Sequence, residues 1–99
     1  MTDLKYIEGR LSLDEIMAQL AEEAAELAQA ALKLRRVDSK TNPTPLTFFD
    51  AFENLLGETA DVMACLHVAG LKMEPTLWQP RIDQNLARWA QRLREVEED

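Results

Sequence analysis

Leu20-Ala21-Glu22-Glu23-Ala24-Ala25-Glu26-Leu27 is the stretch on which the reading of this chain turns. It is built from good helix formers, yet it sets acids among apolar residues. At about 100° per residue, Ile16, Leu20, Leu27, Ala31 and Leu34 form one stripe of a helix, and Glu23 falls inside it. Glu26 lies on the edge of that stripe and Glu22 further round. A carboxylate on a core-facing position is costly to bury unless it is neutralised or paired. An Arg from another helix is one way to pair it. A second acidic cluster, Glu58-Thr59-Ala60-Asp61, points to another way, because it too interrupts an apolar helical stretch.

A three-residue step places two side chains on neighbouring positions of one helix face. Glu23 with Glu26 is one such pair, and Glu58 with Asp61 is another. Two helices packed antiparallel can aim all four carboxylates at one point. Like charges repel strongly in a water-poor site, so something positive must hold them together. Hard oxygen ligands without His or Cys beside them point to Mg2+ or Mn2+.

Working outward, Ser12-Leu13-Asp14-Glu15 reads as a capping box, with Ser12 as N-cap. It predicts a first helix from Leu13 to about Arg36, ending in Lys33, Arg35 and Arg36, which suit the negative end of the helix dipole. Residues 1–11 show little periodicity and read as an extended or loosely helical lead-in. The Pro-containing stretch 37–46 reads as a loop. Thr47 is the expected N-cap of a second helix that stops at Gly70. Its apolar face is Phe52, Leu55, Leu56, Thr59, Val62, Met63 and Leu66, with Glu58 at the edge and Asp61 one step beyond. A turn over 74–79 leads to a third helix with Pro80 at its first position. Ile82, Leu86, Trp89, Leu93 and Val96 line its apolar side. With no strand, repeat or low-complexity segment in view, the fold class is all-α. The chain is expected to be a single helical domain over 1–99, with its core at about 12–94 and three main helices.

The 99 residues suffice for one modest core. A net charge of −7 argues against nucleic acid or an anionic membrane as partner. The chain has no signal-like region and no apolar run long enough to span a bilayer. Its single Cys65 cannot form an intrachain disulfide, which suits a reducing compartment, so cytoplasm is expected.

Glu-Glu-x-x-Glu at Glu22, Glu23 and Glu26, followed by Glu-x-x-Asp at Glu58 and Asp61, resembles the MazG-like family of all-α nucleoside triphosphate pyrophosphohydrolases. The setting Leu-Leu-Gly-Glu-Thr-Ala-Asp-Val and the stretch Asn85-Leu86-Ala87-Arg88-Trp89 carry the likeness further, from about residue 12 to about residue 93. The resemblance implies a Mg2+-dependent enzyme that cleaves a nucleoside triphosphate to the monophosphate and pyrophosphate, in nucleotide-pool housekeeping. It implies Glu23, Glu26, Glu58 and Asp61 as metal ligands. Glu22 would assist with a further metal or with the attacking water, alongside Glu23. The gap between the clusters is longer than is usual in the family, and Arg81 stands where the family often has Lys.

Arg81, Asn85 and Arg88 form a polar stripe beside the apolar one, and Arg forks match phosphate oxygens, so these are the candidate triphosphate contacts. The competing reading of that stripe is a solvated helix face. Phe48, Phe49 and Trp78 could stack on a base, although a core or interface role fits them better. Broad apolar stripes on so short a chain also predict a homodimer or homotetramer. The alternative to an enzyme is a non-catalytic helical interaction or regulatory module. Such a module gains nothing from an acid at Glu23, where Leu would serve better.

Overall fold

A computed structural model describes residues 2–39, 44–73 and 75–98. Within them the chain is all-helical, with α1 at Asp3–Arg10, α2 at Leu13–Ser39, α3 at Phe48–Lys72 and α4 at Trp78–Glu98. A single helical turn, Pro75–Leu77, precedes α4. No described helix is long and apolar enough to cross a membrane.

The capping box at the start of α2 is formed. The Glu15 backbone N–H donates to Ser12 Oγ at 3.1 Å, and the Ser12 backbone N–H donates to Glu15 Oε1 at 3.1 Å. That backbone donor holds the Glu15 carboxyl below its usual range, helped by the Ser12 hydroxyl. Thr47 caps α3 in the same way, its Oγ1 accepting from the Asp50 N–H at 3.1 Å.

Four boundaries differ from expectation. The lead-in is a helix, capped by Thr2, whose side chain accepts from the Lys5 N–H. What stabilises it is docking: Leu4 and Leu11 pack against the Ile16, Val68 and Ala69 cluster. A long pair from Lys72 Nζ to Glu8 Oε1, 3.9 Å, adds to that contact. Secondly, α3 runs through Gly70 to Lys72 and is closed by the Met73 N–H donating to the Ala69 carbonyl. Glycine lowers helix propensity without forbidding a helix, and α1 holds this end in place. Thirdly, α4 starts at Trp78, so Pro80 sits inside the first turn, where its missing N–H is still harmless. At the other loop, α2 reaches Ser39, three residues past Arg36. Residues 40–43 of the expected loop lie outside the described residues, as do Met1, Glu74 and Asp99.

The main packing is α2 on α3, with α1 added to α3. Ile16 meets Val68 and Ala69 at one end. Glu26 and Glu58 meet midway, and Leu34 and Phe48 line one groove at the other end. The pairings run in opposite directions, so the two helices are antiparallel. The buried core is small: Ile16, Ala30, Ala51, Val68 and Ala69. In this chain α4 packs chiefly on the Pro75–Leu77 turn. The resulting shape is extended, with a radius of gyration of 17.5 Å, against about 13 Å for a compact chain of this length.

Candidate metal centre

Antiparallel packing of α2 on α3 brings one acidic cluster over the other. Glu23, Glu26 and Glu58 each offer a carboxylate oxygen, and these oxygens all lie within 4.8 Å of one another. Glu23 and Glu58 are half-buried, whereas Glu26 is exposed. Gln19, one turn earlier on α2, donates from Nε2 to Glu23 Oε1 at 2.8 Å. That bond orients the carboxylate and leaves its other oxygen over. Glu23 Oε2 and Glu58 Oε2 are both sealed from solvent with no hydrogen-bond partner among the described residues. Buried acceptors without donors are rare, because each forfeits its hydration for nothing in return. A hard cation would satisfy both.

The electrostatics follow from this crowding. The Glu26 carboxyl is pushed up chiefly by its contact with Glu58, through hydrogen bonding and repulsion, then by burial and by Glu22. Burial raises the Glu23 carboxyl first, and Glu26 and Asp61 raise it further, against the lowering effect of Gln19. The Cys65 thiol is held protonated by burial and by the fields of Glu23 and Asp61. It is half-buried beside the acids and unreactive as a nucleophile.

The expected site residues are therefore placed unevenly. Glu23, Glu26 and Glu58 converge. Asp61 is exposed and stands outside that trio, near enough to act on Glu23 and Cys65. Its step from Glu58 turns it about 60° further from the face that meets α2. Glu22 is exposed and acts on Glu26 from the rim. Arg81, Asn85 and Arg88 are exposed on α4, with Arg88 donating to Asn85 Oδ1. No α4 group is among those acting on Glu23 or Glu26.

Sequence reasoning missed the neighbours of the acids. A polar cleft of about 390 Å3 opens beside them, lined by Glu26, Gln29, Ala30, Lys33, Asn54 and Glu58. The signal was present: Lys33 lies two turns beyond Glu26 on one helical row, and Asn54 one turn before Glu58 on another. Lys33 was read only as a charge suited to the helix end. The aromatic candidates lie elsewhere. Phe48 stacks on Phe52 with ring centroids 6.3 Å apart, beside an apolar groove at the loop end of the hairpin.

Neither protein-family models, curated proteins nor solved structures yielded a match to this chain.

Proposed function

We propose that this protein is a Mg2+-dependent nucleoside triphosphate pyrophosphohydrolase of the MazG-like kind, with Mn2+ as the substitute cation. The observation that carries this reading is the convergence of Glu23, Glu26 and Glu58 across two helices, with one buried carboxylate oxygen of Glu23 and one of Glu58 left without a partner among the described residues. The donor set is all oxygen and strongly negative, which fits a hard divalent cation. A cation held there would neutralise phosphate charge and lower the pKa of a bound water.

The chain's own residues then have separable tasks. Glu23, Glu26 and Glu58 would hold the ion, with Asp61 the further ligand proposed from the sequence. Gln19 fixes the Glu23 carboxylate by its hydrogen bond. Water attacks the α-phosphorus, the bond from that phosphorus to the bridging oxygen breaks, and pyrophosphate leaves. Glu23 or Glu22 accepts the proton that the water releases. Lys33 and Asn54 line the adjoining cleft, and an amine and an amide there would suit phosphate oxygens. Arg81, Asn85 and Arg88 are further proposed triphosphate contacts, and their helix has to lie over the hairpin to serve as such. A housekeeping role in a reducing cytoplasm accords with the lone, protonated Cys65.

The test is pyrophosphate release from ribo- and deoxyribonucleoside triphosphates, with and without Mg2+. Metal-dependent release of equal amounts of monophosphate and pyrophosphate is expected from at least one of them. No release from any, together with a melting temperature indifferent to Mg2+ and Mn2+, would overturn the reading and leave a non-catalytic interaction module in its place.

A further inference from the structure

Gln19, Glu23 and Glu26 follow one another at steps of four and three, so they share one row of α2. Gln19 stands one turn before Glu23, whereas the polar cleft opens in the other direction, along Glu26, Gln29, Ala30 and Lys33. The amide therefore sits on the side of Glu23 away from the cleft. Its Nε2 donates to Glu23 Oε1 at 2.8 Å. The other oxygen, Oε2, is sealed from solvent and has no hydrogen-bond partner among the described residues, and Glu58 Oε2 is in the same state. The two oxygens of Glu23 are thus unlike, one engaged by a donor and the other bare. Of the described groups that act on Glu23, Glu26 and Asp61 are acids, and Gln19 is the one that favours the charged form.

The same pairing of a Gln with an acid four residues on occurs twice on α4. Gln79 donates to Asp83 at 2.9 Å and Gln91 to Glu95 at 3.3 Å. Those acids are exposed, and the bonds there do no more than support a helix. Only at Gln19 does such a bond end on a half-buried acid that converges with two further carboxylates.

The number of oxygens a carboxylate gives is what separates the two common hard cations. Ca2+ takes about six to eight oxygens in a flexible shell and accepts both oxygens of one carboxylate. Mg2+ demands a near-ideal octahedron and keeps several waters. We propose that Gln19 is a positioning residue that sets the choice of cation: by engaging Oε1 it limits Glu23 to its single bare oxygen, which favours Mg2+ over Ca2+. The inference rests on the trio being the metal centre proposed above. A grip by both oxygens means turning the Glu23 carboxylate and giving up the bond to Gln19. A cation that needs one oxygen leaves that bond intact.

Competition against Mn2+ tests this on the full chain, with free Mn2+ read by electron paramagnetic resonance. Mg2+ and Ca2+ each displace Mn2+, and the ratio of their apparent affinities is the readout. Gln19 is exposed, so replacing it leaves the α2–α3 core untouched. Gln19→Met keeps the length and loses the donor. It should move the ratio about tenfold towards Ca2+, the lower end of what an outer-shell partner contributes to metal affinity. Gln19→Lys returns a donor to Oε1 and should bring the ratio back, since its charge weakens two divalent ions alike. Gln91→Met, the same change in an α4 pair, should leave the ratio at its wild-type value. An unchanged ratio in Gln19→Met, with Mn2+ still bound, overturns the proposal and leaves the metal centre standing. A shift that Gln19→Lys fails to reverse, or that Gln91→Met reproduces, overturns it as well, because the donor would not be the cause. A wild-type protein that binds no Mn2+ overturns both the proposal and the metal centre on which it rests.

Discussion

The α2–α3 hairpin and helix α4 are both amphipathic, and they meet opposite fates within the chain. The hairpin buries Ile16, Ala30, Ala51, Val68 and Ala69. α4 exposes its whole apolar seam and meets chiefly one short turn. The difference teaches that amphipathicity predicts a contact without predicting where the partner comes from. α2 finds its partner across one loop. The seam of α4 finds no matching face within reach of the position it holds here.

The sharpest way to probe the hairpin side is chemical. Glu58→Gln removes a charge from the carboxylate trio while conserving shape. Mg2+-dependent pyrophosphate release should fall by more than about a hundredfold, beyond the usual effect of disturbing an outer-shell partner. The metal-free protein should melt higher than wild type, since one repelling charge is gone, and the stabilisation conferred by Mg2+ should shrink. Calorimetry with and without Mg2+ reads both changes. Equal Mg2+ responses in wild type and variant would remove the trio from the site.

Next in size is a matched pair of truncations across the two regions. Ile16 is 2% exposed, and Ile16→Ala should cost about 2–5 kcal/mol in urea unfolding at any protein concentration. Leu93→Ala, made in dilute protein, should cost less than about 0.5 kcal/mol, as for a surface position. That cost should grow as concentration rises. Equal costs at high dilution would show that α4 already packs within its own chain.

A smaller effect is expected from pH. The Glu23 and Glu26 carboxyls sit above their ordinary range in the folded chain. Where the two states differ, the folded chain therefore binds more protons than the unfolded one, and stability falls as pH rises through that window. The melting temperature of metal-free protein should drop as pH rises above the ordinary glutamate pKa of about 4.3. Saturating Mg2+ should offset the drop, because a cation replaces the proton. Glu15, whose carboxyl is lowered, acts in the opposite sense and only below that window. A flat metal-free profile would contradict the crowding of Glu23 and Glu26.

The smallest prediction concerns α3 itself. A Cβ added at Gly57 would meet nothing within 4 Å, so Gly57→Ala should stabilise the helix by about 0.5–1 kcal/mol. Thermal unfolding checks it. No gain would mean that something covers this face.

The hairpin was legible because its signals are local. Ser12 with Glu15 and Thr47 with Asp50 announce the starts of α2 and α3, and both caps are formed. The i, i+3 spacing brought Glu23 and Glu26 to one face and named Glu58 as their counterpart. What stayed hidden depends on neighbours rather than on spacing. Residues 3–10 lack a helical pattern, and they are helical because Leu4 and Leu11 find the Ile16–Val68–Ala69 cluster. Gly70 reads as a stop until α1 supports the helix end beyond it. Lys33 and Asn54 look like ordinary surface residues until the two helices close a cleft between them. Asp61 lies outside the carboxylate trio because a three-residue step is not quite one turn, and the shortfall moves it off the face that meets α2.

The antiparallel hairpin has a consequence for time as well as for shape. Its contacts join segments that follow one another along the chain, α1 and α2 included, and helical proteins dominated by such local contacts fold in microseconds to milliseconds. α4 can form its own turns as quickly, but in the homodimer expected from the sequence a second copy has to arrive by diffusion. Refolding should therefore split into a fast phase indifferent to dilution and a slower one whose rate scales with protein concentration. The acidic cluster belongs to the first phase, because Glu23, Glu26 and Glu58 are assembled once α2 and α3 meet. A chain still emerging from its synthesis would carry its carboxylate cluster before it had met any other molecule of its kind.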